Sequence, residues 1–236
     1  MFRSFIISAV ICLSCAAAHA QLEQLEKNLG LGNTSHLSDS KVASGLKEAL
    51  KVGAENSVKL TGKTDGYFKN EAIKILMPNN LRPLEKGLRA IGFGPKIDSF
   101  VLSMNRSAEA AAPAAKKIFT DAILEMTFDD ARRILSGNDT AATDYFKAKT
   151  TDRLTVAFRP FVQKTMEENG VVKQYEGLTK QYESIPFAKS ETLDVNKYVV
   201  EKALDGLFYE LADQERQIRK NPAARTTSLL KEVFGK

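Results

Sequence analysis

The stretch from Ile97 to Met126, IDSFVLSMNRSAEAAAPAAKKIFTDAILEM, decides the fold. In it Ile97, Val101, Met104, Ala108, Ala111, Ala115, Ile118 and Ala122 return in alternating steps of four and three. That spacing keeps them on one face of an α-helix and makes them the seam along which it packs on a partner. The central alanines let a neighbouring backbone come close. Phe100 and Leu102 carry apolar surface beyond the seam, so this half is expected to be covered on several sides as the central helix. Pro113 falls inside the pattern, where it lacks an N–H and clashes with the carbonyl of Glu109, predicting a kink or a break. Pro160, between Phe158 and Phe161, predicts the same in a second long segment from about Thr140 to Glu168. The expectation is all-α: a single globular bundle of about eight helices, two of them kinked at Pro113 and Pro160.

Outward from this centre, the boundaries have local causes. Thr127 and Asp130 form a short capping-box pattern ahead of Ala131, Ile134 and Leu135, and Gly137 supplies a stop. A helix from about Asp194 carries Val200, Leu204, Leu207, Leu211 and Ile218 on one stripe, with Gln214 as its gap. Asn221-Pro222 reads as the start of a last helix that buries Ala223, Leu230, Val233 and Phe234. No run reads convincingly as a strand. Residues 1–20 read as a signal peptide, with Arg3 as the positive end, an apolar run from Phe5 to Leu13, and Ala18-His19-Ala20 before the expected cleavage. Residues 21–38 read as a flexible arm containing the Gly30 to Ser35 stretch, and residues 39–236 as one helical domain.

Composition excludes several chemistries. Both cysteines, Cys12 and Cys15, lie in the leader, so the mature chain is expected to hold together without disulfides. Cys15 has Cys12, not leucine, three positions before it, which argues against lipidation. After cleavage His36 is the remaining histidine and sits in the arm. A His and Cys zinc site, a cysteine nucleophile and a Ser-His-Asp triad are therefore not expected, and no cofactor is implied. Losing Arg3 leaves 33 of 34 basic residues against 29 acidic ones. This modest, evenly spread excess does not suit nucleic acid, but leaves room for peripheral contact with anionic lipid. No segment of the mature chain is apolar enough for a transmembrane span. Gly62-Lys63-Thr64 spells the end of a phosphate-binding loop, yet Ser57 stands where its first glycine belongs and no strand feeds it, so a helix-ending turn is expected.

Two constellations stand out as candidate sites. Arg106 and Glu109 share with Leu102 and Pro113 the face opposite the seam, next to Asn105. If the helix is covered all round, Asn105, Arg106 and Glu109 could line a pocket for a polar ligand, with Tyr145 and Arg159 adding an aromatic face and a second cation. The plain alternative is a surface pair three residues apart. The run from Glu215 to Arg225 gathers Arg216, Arg219, Lys220 and Arg225, either as complements to a helix C-terminus or as a docking patch for an acidic partner.

Several strings also resemble a known family: Leu60 to Phe68 (LTGKTDGYF), Ile73 to Pro78 (IKILMP), Ser103 to Arg106 (SMNR), Met126 to Ala131 (MTFDDA), Asp139 to Phe146 (DTAATDYF), Ala203 to Phe208 (ALDGLF) and Ile218 to Pro222 (IRKNP). They are similar to the uncharacterised exported bacterial family catalogued as domain of unknown function 4197, over about Ser38 to Gly235. The resemblance implies a helical fold and a Gram-negative periplasmic setting, with some relatives lipoproteins, and implies no activity or catalytic residue. Three functional classes follow: a periplasmic protein binding a small amphipathic molecule or an envelope partner; a carboxylate-dependent cell-wall hydrolase; or a structural envelope protein. The first fits best, because export and bent helices come without a recognisable catalytic set.

Overall fold

The computed structural model describes residues 39–184 and 194–225, together with 227, 228 and 231. The leader, the arm, and Leu230, Val233 and Phe234 lie outside them. The elements are α1 (Asp39–Gly62), α2 (Arg82–Ala90), α3 (Gly94–Ala111), α4 (Ala115–Leu124), α5 (Phe128–Ser136), α6 (Ala141–Glu168), α7 (Val171–Glu183) and α8 (Val195–Lys220), with 3-10 turns at Asn79–Leu81, Ala112–Ala114 and Pro222–Ala224. No strand occurs among the described residues, and the fold is all-α. Helices α3, α6 and α8 pack mutually at the centre; α4 and α5 pack on α6, and α7 covers α2, α3 and α6. Helix α1 lies along α8, where a Cβ added at Gly53 would touch Gln214 and Ile218.

The seam is buried as its period requires except at Ile118, which is half-buried, the neighbouring Phe119 taking the core position. Ile97, Met104, Ala108, Ala111, Ala115 and Ala122 are solvent-free, and so is Phe100, whose ring stacks 6.1 Å from that of Tyr175 on α7. Phe119 continues the core, its ring 5.0 Å from Phe146 and 6.2 Å from Phe208. Pro113 ends α3 and opens the 3-10 turn before α4. Pro160 does not break its helix: α6 runs through it without interruption. The carbonyl that loses its donor belongs to Val156, which is 70 % exposed, and Pro160 is exposed as well. Water can serve that carbonyl, so the lost bond does not break the helix.

The segment from Lys63 to Pro78 departs from the expectation of helix with short punctuations. It turns at Lys63 to Lys69, with Asp65 at φ +65°, turns again at Glu71 to Ile73, and carries no regular secondary structure from Lys74 to Pro78. Yet Tyr67, Ile73, Ile75 and Met77 are buried. A buried non-helical backbone needs partners from elsewhere. Asn105 acts as a surrogate strand, its Oδ1 accepting from Ile75 N–H at 2.9 Å and its amide donating to Ile75 C=O at 2.8 Å. Glu109 Oε1 accepts from the N–H groups of Tyr67 and Phe68, both at 3.1 Å. From α8, Glu210 accepts from the Asn70 amide at 2.7 Å, and Tyr198 O–H donates to Leu76 C=O at 2.9 Å. Tyr67 O–H in turn donates to Ala203 C=O at 2.6 Å. Gly206 lets this ring approach: a Cβ there would lie 2.5 Å from Tyr67 Cε1.

A second set of polar bonds holds the α5–α6 corner. Thr127 and Asp130 form the reciprocal capping box. Gly137 is required for space, since its Cβ would lie 2.5 Å from Ala141 Cβ. Glu215 of α8 caps α6 from a distance, accepting from Ala142 N–H, Thr143 N–H and Thr143 O–H, each at 2.9 Å. At the chain's end, Asn221 caps a single 3-10 turn, and Ala223 is exposed, not buried as its position in the motif suggested. One turn has too few apolar positions to force that residue inward.

Gly206→Ala is expected to cost about 2 kcal/mol, because the new methyl must displace the Tyr67 ring from a filled core. Gly177→Ala, in an open position of α7, is expected to stabilise by about 0.5–1 kcal/mol. Urea unfolding of the two variants beside the parent checks both signs.

Candidate functional site

The Arg106 guanidinium sits between two carboxylates, donating from Nη1 to Glu109 Oε2 and from Nη2 to Asp65 Oδ1, each at 2.6 Å. It also lies 5.7 Å from the Phe68 ring centroid, with Lys74 Nζ at 4.7 Å from the same centroid. Asp65 takes a second cation from Lys69 at 2.8 Å. Its carboxyl is held below the usual range, first by Lys69 and then by Arg106. Asn105 uses its amide nitrogen on Val101 C=O as well as on Ile75 C=O, so its polar atoms are engaged. Asn105, Arg106 and Glu109 thus form a clamp on the turn and the extended segment, with their bonding capacity directed at their own chain.

The structure does not bring Tyr145 and Arg159 to this clamp. They stand fourteen positions apart on α6, roughly 21 Å along its axis at the α-helical rise. Tyr145 O–H donates to Ala122 C=O at 3.1 Å and borders a shallow hollow with Asp130, Arg133 and Lys149. Burial raises its phenol above the ordinary range, with Asp130 and Glu125 reinforcing. Arg159 lines the groove between α6 and α8.

The basic run is largely committed to folding. Arg219 pairs with Glu215 at 2.9 Å and donates to Ile134 C=O at 2.8 Å, closing the end of α5. Arg225 donates to Ile218 C=O and Arg219 C=O at 3.1 and 2.9 Å, closing the end of α8. Arg216 pairs with Asp213 at 3.4 Å, and Lys220 pairs with Asp139. These contacts satisfy carbonyls that a helix C-terminus leaves open and place positive charge at its negative end. Glu215 went unnoticed in the sequence because an acid three residues before Ile218 looks like the edge of the stripe. The available signal was its position four residues after Leu211, inside the apolar period, with Arg219 four residues further.

A larger opening is the groove between α6 and α8. Its volume is about 740 Å3. Lys147, Thr151, Thr155, Arg159 and Gln163 form one wall at successive i,i+4 positions of α6. Lys197, Glu201 and Asp205 form the other, and the buried side chains of Val200, Leu204 and Phe208 make the floor. Arg159 has no ion pair among the described residues, and Asn196 at the groove's end has a buried amide oxygen without a hydrogen-bond partner. The wall on α6 escaped the sequence reading because a polar i,i+4 stripe looks like any solvated helix face.

Other chemistry is thinly represented. Gly62 ends α1 against Pro113, and Gly62-Lys63-Thr64 leads into a turn rather than a phosphate cradle. No group of three or more His, Cys, Asp or Glu side chains is placed to hold a metal among the described residues. Asp65, Asp121 and Asp130 are all pulled below the ordinary carboxylate range: Asp121 chiefly by Lys117, Asp130 chiefly by the Thr127 N–H. Such shifts mark ion-paired and capping acids, opposite to the raised value a general acid needs.

The sequence model of the family described as Protein of unknown function (DUF4197) matches residues 36–235, and the chain belongs to that family. No curated protein and no solved structure matches it. Four of the seven strings quoted above as family-like meet in space: Tyr67 and Ile75 from the first two, Asn105 and Arg106 from the third, Ala203 and Gly206 from the ALDGLF string.

Glu109→Ala is expected to lose about 3–5 kcal/mol, because it strands the buried N–H of Tyr67, the part-buried N–H of Phe68 and half of Arg106's pairing. Arg106→Ala, at a partly exposed side chain, is expected to lose only about 1 kcal/mol. Equal denaturation midpoints for the two would show that Glu109 is not the anchor. Asp65 and Asp130 bind protons less readily folded than unfolded, so their stabilisation is complete above the ordinary carboxylate value and is lost as pH falls through the lowered folded values. Melting temperature is therefore expected to be level near neutrality and to fall below about pH 4, with a shallower acid limb in Asp130→Asn.

Proposed function

We propose that this DUF4197 member is an exported, periplasmic helical binding protein that holds an elongated amphipathic ligand in the open groove between α6 and α8. Export rests on the leader pattern of residues 1–20. The groove supports the binding half by its chemistry: an apolar floor of Val200, Leu204 and Phe208 between polar walls carrying charges of both signs. From Lys147 to Gln163 the α6 wall is roughly 24 Å long at the α-helical rise. A ligand matching it has an apolar spine with polar groups along both flanks, as an extended amphipathic molecule or a segment of an envelope partner does. The hydroxyls of Thr151 and Thr155 already donate to carbonyls of their own helix, at 2.7 and 2.9 Å, leaving their lone pairs as acceptors toward the groove.

The crevice beside the core is too small for a ligand of this kind. The crevice among α1, α6 and α8, lined by Leu46, Leu50, Phe146 and Leu211, measures about 20 Å3, which is room for about one water. The groove falls within the span of roughly 300–1,000 Å3 usual for ligand sites.

Native mass spectrometry of the protein, produced with its leader and isolated from the envelope fraction of a Gram-negative host, reads both halves at once. The expected polypeptide mass begins at Gln21, and the expected spectrum carries an adduct or a partner that Thr155→Trp, which fills the groove, removes without lowering the melting temperature. A polypeptide retaining residues 1–20 would refute export, and an adduct-free parent, or an adduct kept by the filled variant, would refute the groove.

A further inference from the structure

The solvent side of α6 carries apolar surface that no described element covers. Asp152, Val156, Pro160 and Lys164 recur at four-residue steps, opposite the buried stripe of Leu154, Phe158 and Val162. They form one ridge down the helix, roughly 18 Å from first to last at the α-helical rise. Val156 is 70 % exposed, Pro160 is exposed, and Phe161 beside them is 46 % exposed. Single exposed apolar residues are ordinary, whereas adjoining ones mark a surface that is covered in use.

The charges at the two ends of the ridge decide what covers it. Asp152 stands one step before Val156 and Lys164 one step after Pro160, so the ridge reads acid, apolar, apolar, base. Turned end for end about a twofold axis midway between Val156 and Pro160, the same line presents base, apolar, apolar, acid. Two copies of α6 laid antiparallel on that axis therefore set Asp152 of each against Lys164 of the other, and Val156 against Pro160. Among the described residues Asp152 has no ion pair, and Lys164 has only the exposed Glu168, at 3.8 Å. On the flank of the ridge, Phe161 of one copy comes over Ala157 of the other, a residue small enough to admit a ring. An anionic lipid surface fits the same ridge poorly, because it is repelled at Asp152.

We propose that the protein self-associates as a twofold dimer through the ridge from Asp152 to Lys164 on α6. The contact uses the same patch on both copies, so it closes at two. A single helix ridge is small beside the roughly 1,200–2,000 Å2 of standard interfaces, which makes the dimer weak and dependent on concentration. The α6 wall of the groove, Lys147, Thr151, Thr155, Arg159 and Gln163, lies about 100° round the helix from the ridge. Both grooves therefore stay open, and the dimer stands or falls independently of what they hold.

Sedimentation velocity of the mature chain, at concentrations rising into the millimolar range, tests it. The parent is expected to pass from monomer to dimer, and Val156→Glu to weaken association by about tenfold or more. Asp152→Lys and Lys164→Asp each place like charges at both ends of the contact, so each alone is expected to stay monomeric where the parent dimerises. Mixed in equal amounts, the two variants regain both opposite-charge contacts, and dimers holding one copy of each are expected at close to the parent's affinity. All three positions are exposed, so melting temperatures are expected to match the parent's. A parent that stays monomeric throughout, whether or not it pellets with phosphatidylglycerol vesicles, would overturn the dimer. So would parent-like association of Val156→Glu, or a mixture that associates no more tightly than either variant alone.

Discussion

The fold depends on one constraint: sixteen residues of non-helical chain, Lys63 to Pro78, lie against a helical bundle, and the peptide groups beside their buried side chains, Tyr67, Ile73, Ile75 and Met77, need partners. Helices cannot supply them with their backbones, which are bonded internally. The pairing therefore falls to the buried side chains of Asn105 and Glu109 on α3, while on α8 Glu210 holds the Asn70 side chain and the half-buried Tyr198 holds the carbonyl of Leu76. Once these are placed, Tyr67 can insert its ring beside Gly206 and donate to Ala203. Burial and the negative charge of Glu210 push that phenol above its usual range, keeping it a neutral donor. The segment thereby ties α3 to α8.

The same device recurs at the corner between α5 and α6. There Glu215 accepts the free N–H groups that open α6 while Arg219 donates to a carbonyl that ends α5. An acid and a base four residues apart on α8 thus meet the positive end of one helix and the negative end of another. Charge that sequence inspection assigns to solvent or to a partner is spent on internal geometry. A buried carboxylate fully bonded to N–H donors adds little net stability over an apolar residue, but its removal is severe. Its main effect is to allow only one arrangement of the chain.

This internal use of charge bears on function. Arg106, Glu109, Arg219 and Arg225 are occupied by partners within the chain, whereas Arg159 has no ion pair among the described residues and the Asn196 amide oxygen has no hydrogen-bond partner. The groove proposed for a ligand draws on these unmatched groups.

Local chemistry by itself determined the helical class, the seam from Ile97 to Ala122, the break at Pro113, the box at Thr127 and Asp130, and the end of α1 at Gly62. These features depend on residues within one or two turns of each other, so periodicity and capping expose them. Tertiary structure alone decided that Pro160 leaves α6 intact, because Val156 happens to face water. It alone decided that Arg106 and Glu109 clamp a turn some 41–42 positions earlier, instead of lining a pocket with Tyr145 and Arg159. It also decided that Glu215 reaches Ala142 across 73 positions, and that the stripe from Lys147 to Gln163 becomes a groove wall. A side chain's charge is written in the sequence, whereas its partner is set by which distant backbone groups packing leaves without a hydrogen bond.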